Sequence, residues 1–398
     1  MKIQTKALSG IVLEKLTNNR TYLDYNATSP FSKSVLNWLQ KGDLFFANPS
    51  SIHSQGKNIR RKIEDVRDFL YDTFSLNENL YHLFFHSGAT EGINSILKGF
   101  AESHEKICLI YAVSDHSCIE SLKPWFEKHA HRVVVFDVNV HGEFDQDALK
   151  KLIKKNSDLP VLVNYTWVNN ESGVHWPLEK IREVKMQTDC FVHVDAVQSV
   201  GKIENWQMLD SSLDAYSYSA HKFGSLKGVG FSFVKRNFPF TPLIVGGAQQ
   251  ENYRSGTENT LGIQSIELAL RELKDNQNIE TLRAAKEDFE KKLNNDLQGM
   301  GEIAGFKARY RNANTVYFIL QDVKSDVSSV AFDMGGMDVS TGSACSSGAI
   351  LPSRVLMSMG YNETLSKSAI RLSFSPYLNR AEGDEIYSRV QRIIQRFR

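Results

Sequence analysis

Ser219-Ala220-His221-Lys222 closes an apolar stretch, and Asp195 lies twenty-seven positions before the lysine, inside Phe191-Val192-His193-Val194-Asp195-Ala196. A lysine amine after one strand and a carboxylate on a neighbouring strand are what a pyridoxal-phosphate enzyme needs. The amine forms a Schiff base. The carboxylate keeps the pyridine nitrogen protonated, so that the ring can drain electrons. Far downstream, Gly342-Ser343-Ala344-Cys345-Ser346-Ser347-Gly348 sets one thiol among small residues. Together these elements imply an enzyme that makes a carbanion from an amino acid and lets a cysteine attack its side chain.

Each element also has a plainer reading when taken alone. Phe85-His86-Ser87-Gly88-Ala89-Thr90-Glu91-Gly92 follows a strand and opens a helix, so the turn at Ala89 and Thr90 can offer backbone N–H groups to a phosphate. It can equally be a structural turn, and no Gly-Lys-Ser/Thr follows it. Asp195 is costly to bury unpaired. It is either a structural ion pair or cap, or the partner of a pyridinium. Gln198, three residues on, can reach the cofactor's phenolic oxygen. Lys222 is either a surface lysine or the Schiff-base lysine. Ser219, His221 and the glycines at 224 and 228 favour the second, and desolvation would raise its free-amine fraction.

His116, in Ser114-Asp115-His116-Ser117, either makes a local hydrogen bond or stacks on the ring and moves protons. Arg371 lies within Ala369-Ile370-Arg371-Leu372-Ser373-Phe374. It calls for a bidentate anion, either a substrate carboxylate or a structural acid. Of the four cysteines, Cys108 and Cys190 sit in or beside apolar strand-like runs and Cys118 opens a helix; all three read as packing. Cys345 is either a thiol in a tight glycine turn or a nucleophile on a mobile loop, able to reach substrate and then present its cargo to another protein.

These residues need a scaffold that gathers them. Short apolar runs at 83–85, 107–112, 133–138, 161–165, 191–196, 215–219 and 229–235 read as strands. Helical spacing fills 118–130, 145–155 and 177–187 between them. Such alternation predicts a mostly parallel sheet covered on both faces, with ligands beyond the carboxyl ends of its strands. Thr90, His116, Asn170 and Lys222 all fall there. One long amphipathic helical pattern over 262–300 predicts the link to a second lobe. That lobe offers strands at 315–320, 337–340 and 370–374, and helices at 328–334 and 381–397. The first thirty residues are expected to pack against it.

The bulk properties exclude other classes. With 398 residues, the chain can hold two or three average domains, or one large domain with a satellite. A formal net charge of +1 leaves no surplus of Lys or Arg for a nucleic-acid or membrane-surface face. Four cysteines without a C-x-x-C imply reduced thiols in a cytoplasm rather than a disulfide scaffold. No apolar run approaches a membrane span or a signal-peptide core, and no metal site is expected.

Taken in order along the chain, the motifs resemble the cysteine desulfurases of the NifS/IscS type, within the class V aminotransferases. The pieces are Tyr22-Leu23-Asp24-Tyr25-Asn26-Ala27-Thr28-Ser29-Pro30, Asn48-Pro49-Ser50-Ser51-Ile52-His53, Ser87-Gly88-Ala89-Thr90-Glu91 and Val168-Asn169-Asn170-Glu171-Ser172-Gly173. They continue with His193-Val194-Asp195-Ala196-Val197-Gln198, Ser219-Ala220-His221-Lys222, Arg254-Ser255-Gly256-Thr257 and Gly342-Ser343-Ala344-Cys345. Gly246-Gly247-Ala248-Gln249-Gln250-Glu251 departs from the Gly-Gly-Gly-Gln-Glu usual in that family.

The resemblance implies an α/β, fold-type I transferase. Its large domain, 30–265, would surround a mostly parallel seven-stranded sheet. A smaller α+β domain, 1–29 and 266–398, would carry the cysteine loop. The implied cofactor is pyridoxal 5'-phosphate. Lys222 would hold it covalently, Asp195 would face the pyridinium, Gln198 the phenolic oxygen, and His116 would stack on the ring. Ala89, Thr90, Ser219 and His221 would bind the phosphate. Thr257 would reach the phosphate of a neighbouring subunit, which implies a homodimer. Asn170, beside the cofactor, and Arg371 would hold the carboxylate of L-cysteine. Cys345 would take the sulfur as a persulfide and deliver it to an iron–sulfur scaffold or sulfur-carrier protein. Alternatives from the residues are a selenocysteine lyase, another class V aminotransferase, or a sulfur-relay protein without turnover.

Overall fold

Strands that read as unbroken apolar runs are strands buried on both faces, and they build the centre of this protein. In the computed structural model, which describes residues 20–42, 44, 46–341 and 351–398, thirteen strands run in chain order. They are β1 (Thr21–Tyr22), β2 (Tyr81–His86), β3 (Cys108–Ala112), β4 (Arg132–Phe136), β5 (Val161–Thr166), β6 (Phe191–Asp195) and β7 (Ala215–Ser219), followed by β8 (Gly230–Lys235), β9 (Gly301–Ile303), β10 (Thr315–Leu320), β11 (Met337–Asp338), β12 (Ser340–Thr341) and β13 (Ala369–Ser373). The 342–350 stretch, and Cys345 with it, lies outside the described residues.

β2 to β8 form a seven-stranded sheet in the order β2-β8-β7-β6-β5-β3-β4. Pairing is parallel except for β8, which runs antiparallel to both β2 and β7. The seven strand segments expected from the sequence are these seven. Helix Ala89–Glu102 covers one face through Ile93, Ile96 and Leu97, which pack on Phe84, Leu162 and Val234. Gly92 allows the close approach: a Cβ there would lie 2.4 Å from His86 Nε2 and 2.8 Å from Ser232 Oγ. Helix Ser54–Phe74 covers the other face with Ile59, Ile63, Val66, Leu70 and Phe74, spaced at three and four residues.

The helical pattern expected as one element over 262–300 is two helices, Thr260–Asn276 and Ile279–Asp296. Gln277 turns to extended backbone at ψ 137°, and Asn278 then caps the second helix by accepting the Thr281 N–H at 2.9 Å. Likewise 118–130 holds two short helices, Ser117–Glu120 and Lys123–Lys128. Beyond them β12-β13-β10-β9 form an antiparallel sheet. Helices Ile279–Asp296 and Arg380–Ile394 pack on it around Phe289, Val316, Phe318, Leu372 and Ile393. β1 pairs with β11, so the segment from Arg20 joins this second core before it crosses to the first. Among the described residues, no helix is long and apolar enough to cross a membrane.

Candidate active site

At the carboxyl ends of the parallel strands lies a cavity of about 620 Å³. Thr90 and Ala89 enter it from the start of helix Ala89–Glu102, and His116 from the turn after β3. Asn170 comes from the turn after β5, Asp195 and Gln198 from the end of β6, and Ser219, His221 and Lys222 from the end of β7. A larger cavity of about 750 Å³ lies elsewhere, lined by Arg283, Lys286, Glu290 and Arg311, and holds none of the expected residues.

Lys222 Nζ donates to the main-chain carbonyls of Asn26 and Ala27, each at 2.8 Å. Burial, then the nearby Arg371 cation, pushes its amine down to about 8. A substantial neutral fraction therefore exists close to physiological pH. Asp195 sits at the end of β6 with its carboxylate accepting the Val197 N–H at 3.1 Å. Among the described residues it makes no ion pair. Burial pushes it up to about 6, opposed by that N–H and by Lys222. A buried carboxylate in this state has room for one cation facing it across the cavity.

His221 Nδ1 lies 3.1 Å from Thr28 Oγ1, and burial followed by Lys222 and Lys227 lowers the ring to about 4. His116 accepts the Cys118 N–H through Nδ1 at 3.1 Å, and burial lowers its pKa as well. Both rings are neutral at pH 7. Gln198 donates through Nε2 to the Asn26 carbonyl at 3.0 Å and accepts through Oε1 from the buried Lys202 amine.

The turn that should hold a phosphate is braced from outside. Glu91, in the first turn of the helix, accepts the Ser87 N–H at 2.9 Å and pairs with Arg254 at 2.8 Å, which neutralises its charge there. Ser219 Oγ faces Gly88, 3.7 Å from where a Cβ would stand. Two expected residues are not brought into the cavity. Thr257 is exposed, three residues beyond the Arg254 brace. Arg371 is buried beside the cavity, with Nη2 on Asp24 at 2.7 Å, Nη1 on the Asn170 carbonyl at 3.0 Å, and Nε without a partner.

Residues 21–386 match the family model of the class-V aminotransferases. The chain belongs to that family. It is 32% identical over 384 residues to the cysteine desulfurase IscS of Dictyoglomus turgidum, covering 95% of each chain. The fold matches the NifS-like protein of Rickettsia africae with TM-score 0.82 at 27% identity, covering 94% of this chain and 99% of that one. SspA in complex with cysteine matches with TM-score 0.75 at 26% identity, covering 89% and 99%.

Class-V aminotransferases are generally pyridoxal-phosphate-dependent, and the cavity fits that group. Asp195 is a buried acid lacking a cation, Lys222 is an amine of lowered pKa, and a helix start with Ser219 and His221 suits a dianion. Several residues here carry no local sign of their place in the site. Cys118, read as packing, lines the cavity wall, and burial raises its pKa far above a reactive thiol's. Asn26, Thr28 and Lys202 form the bracket under Lys222, His221 and Gln198. Asn26 and Thr28 act from chain segments more than 170 residues away, which no local pattern announces, while Lys202 reaches Gln198 from four residues on.

Proposed function

We propose that this chain is a pyridoxal-phosphate-dependent cysteine desulfurase that converts L-cysteine to L-alanine and passes the sulfur from Cys345 to an acceptor protein. The observation that carries the reading is one cavity shared by Lys222, Asp195, His116 and His221, in a chain about a third identical to a cysteine desulfurase along nearly its whole length. When bound, pyridoxal phosphate supplies an aldehyde for the lysine and a ring that stores the electrons of the broken Cα–H bond.

The residues divide the remaining work. Lys222 takes the Cα proton, helped by its lowered pKa and by the two carbonyls that aim its amine. Asp195 would hold a proton at the ring nitrogen of the bound group, and Gln198 would serve its phenolic oxygen. His116, which lines the same cavity, would stack on the ring of the bound group and could return a proton to the substrate carbon skeleton. Ala89, Thr90, Ser219 and His221 receive the phosphate. Asn170 and Arg371 hold the substrate carboxylate. The Cys345 thiolate attacks the substrate sulfur; an S–S bond forms as Cβ–S breaks, and alanine leaves after protonation.

We read residues 30–265 as the cofactor-binding domain, and 1–29 with 266–398 as a smaller one. The working unit is read as a cytoplasmic homodimer in which Thr257 completes the partner's phosphate site. Iron–sulfur scaffolds and sulfur carriers have the thiol chemistry to accept the sulfur. The test is Cys345→Ala. It should keep the yellow cofactor spectrum and lose persulfide formation from labelled cysteine. Undiminished alanine and protein-bound sulfur would remove that thiol from the mechanism.

A further inference from the structure

Beneath helix Ala89–Glu102, a row of buried polar side chains crosses the sheet. His86 Nε2 lies 2.9 Å from Ser232 Oγ, which lies 2.9 Å from Ser217 Oγ, which lies 2.9 Å from His193 Nε2. His193 Nδ1 lies 2.7 Å from Asn164 Oδ1, and Asn164 Nδ2 donates to Asp115 Oδ2 at 2.7 Å. All six residues are buried. Apolar residues would fill the same positions more cheaply, so a polar row of this length, continuous between an unpartnered His86 Nδ1 and an unpartnered Asp115 Oδ1, asks for a reason.

The row has a direction, and inventory fixes it. A carboxylate only accepts. If Asp115 is ionised, Asn164 must give it the NH2 and turn its oxygen to His193. His193 must then carry its proton on Nδ1 and accept from Ser217 at Nε2. Ser217 in turn accepts from Ser232, and Ser232 from the Nε2–H of His86. Every link donates toward Asp115. A protonated Asp115 permits the opposite order, with the amide turned over, His193 protonated on Nε2 and His86 on Nδ1. That order leaves a buried N–H poorly served, because the His86 ring, though drawn to the Phe231 and Gly88 carbonyls, makes no well-formed hydrogen bond from Nδ1. The first order leaves only a bare lone pair there, which costs less.

The receiving end sits under the cofactor cavity. Asp115 immediately precedes His116. Its partner Asn164 stands two residues before Thr166, on the same face of β5, and Thr166 pairs in register with Asp195. We propose that the ladder is a head-to-tail hydrogen-bond chain that holds Asp115 as an anion, and that Asp115 is a positioning residue whose charge strengthens proton retention at Asp195. The role rests on the cofactor reading above; the polarity of the ladder does not. Other ionisable groups meet Asp115 too. Asp195 and Cys118 face it, and Arg354 donates to its main-chain carbonyl at 2.9 Å. Burial lifts the Asp115 carboxyl to about 7 against the Asn164 bond, so its charge is complete only above that pH.

Two measurements test the inference. Nitrogen-15 NMR of the histidine side chains at pH 8.5, with and without pyridoxal phosphate, should find His193 protonated on Nδ1 and His86 on Nε2. The opposite tautomers overturn the polarity. In the loaded protein, Asp115→Asn should lower the pH at which the visible cofactor band titrates by roughly one unit. Ser217→Ala, three links away, should move it the same way by less. An unmoved titration in folded Asp115→Asn overturns the role of that charge. A wild-type protein that takes up no coenzyme overturns the cofactor reading and the role with it, while the tautomers still decide the ladder.

Discussion

Lys222 reaches back across the chain to Asn26: its Nζ donates to the Asn26 main-chain carbonyl at 2.8 Å. Carbonyl dipoles steady the ammonium but carry no charge, and burial with Arg371 nearby holds its pKa near 8 instead of 10.5. A depression of that size costs folding on the order of 3 kcal/mol in cofactor-free protein. The native state binds fewer protons than the unfolded chain between about pH 8 and 10.5, so wild-type stability rises with pH through that window. Below it the full cost is present. Cofactor-free Lys222→Met should therefore be more stable than wild type at pH 7, with the gap closing toward pH 10. Urea unfolding at several pH values checks it, and a pH-independent gap would contradict a buried, strained amine.

Much of this site was legible because burial leaves a local signature. β3, β5 and β6 lie inside the sheet, so their residues read as short, mostly apolar runs, and a charged residue ending such a run, as Asp195 does, stands out. Lys222 stood out for the same reason, directly after β7. Other features left no such trace. β1, β11 and β12 have two residues each, too few to show a period. The break at Gln277 and Asn278 hides because both continue the polar face of the helices around them. Asn164, Ser217 and Ser232 look like ordinary polar strand residues until register sets them side by side.

Arg371 is the expected carboxylate ligand, and its present partner is an internal acid. Its Nη2 pairs with Asp24 at 2.7 Å while its buried Nε has no partner. An unpartnered guanidinium nitrogen beside the cavity would suit a substrate carboxylate oxygen, as proposed above. Arg371→Met should raise the KM for L-cysteine roughly 10- to 100-fold, the range for losing a charged hydrogen bond of about 1.5–3 kcal/mol. The cofactor spectrum should persist. Steady-state kinetics beside an absorbance scan separates the outcomes: unchanged KM with a weaker fold would leave Arg371 as no more than the partner of Asp24.

Thr257 is fastened close to a phosphate turn it does not enter. Arg254 pairs with Glu91 at the start of helix Ala89–Glu102, yet Thr257, three residues on, faces outward. Phe46, Ile52 and Val245 are also largely exposed, at 95%, 88% and 78%. If a second copy covers Thr257, the threonine of one chain serves the site of the other. Thr257→Glu would then set a carboxylate against the partner's phosphate, while Lys222→Ala disables its own chain. Each homodimer should be inactive. Unfolding and refolding the two together should restore about a quarter of wild-type activity, since half the dimers are mixed and each mixed dimer keeps one intact site. Mixed dimers that form but stay inactive would assign Thr257 to its own chain.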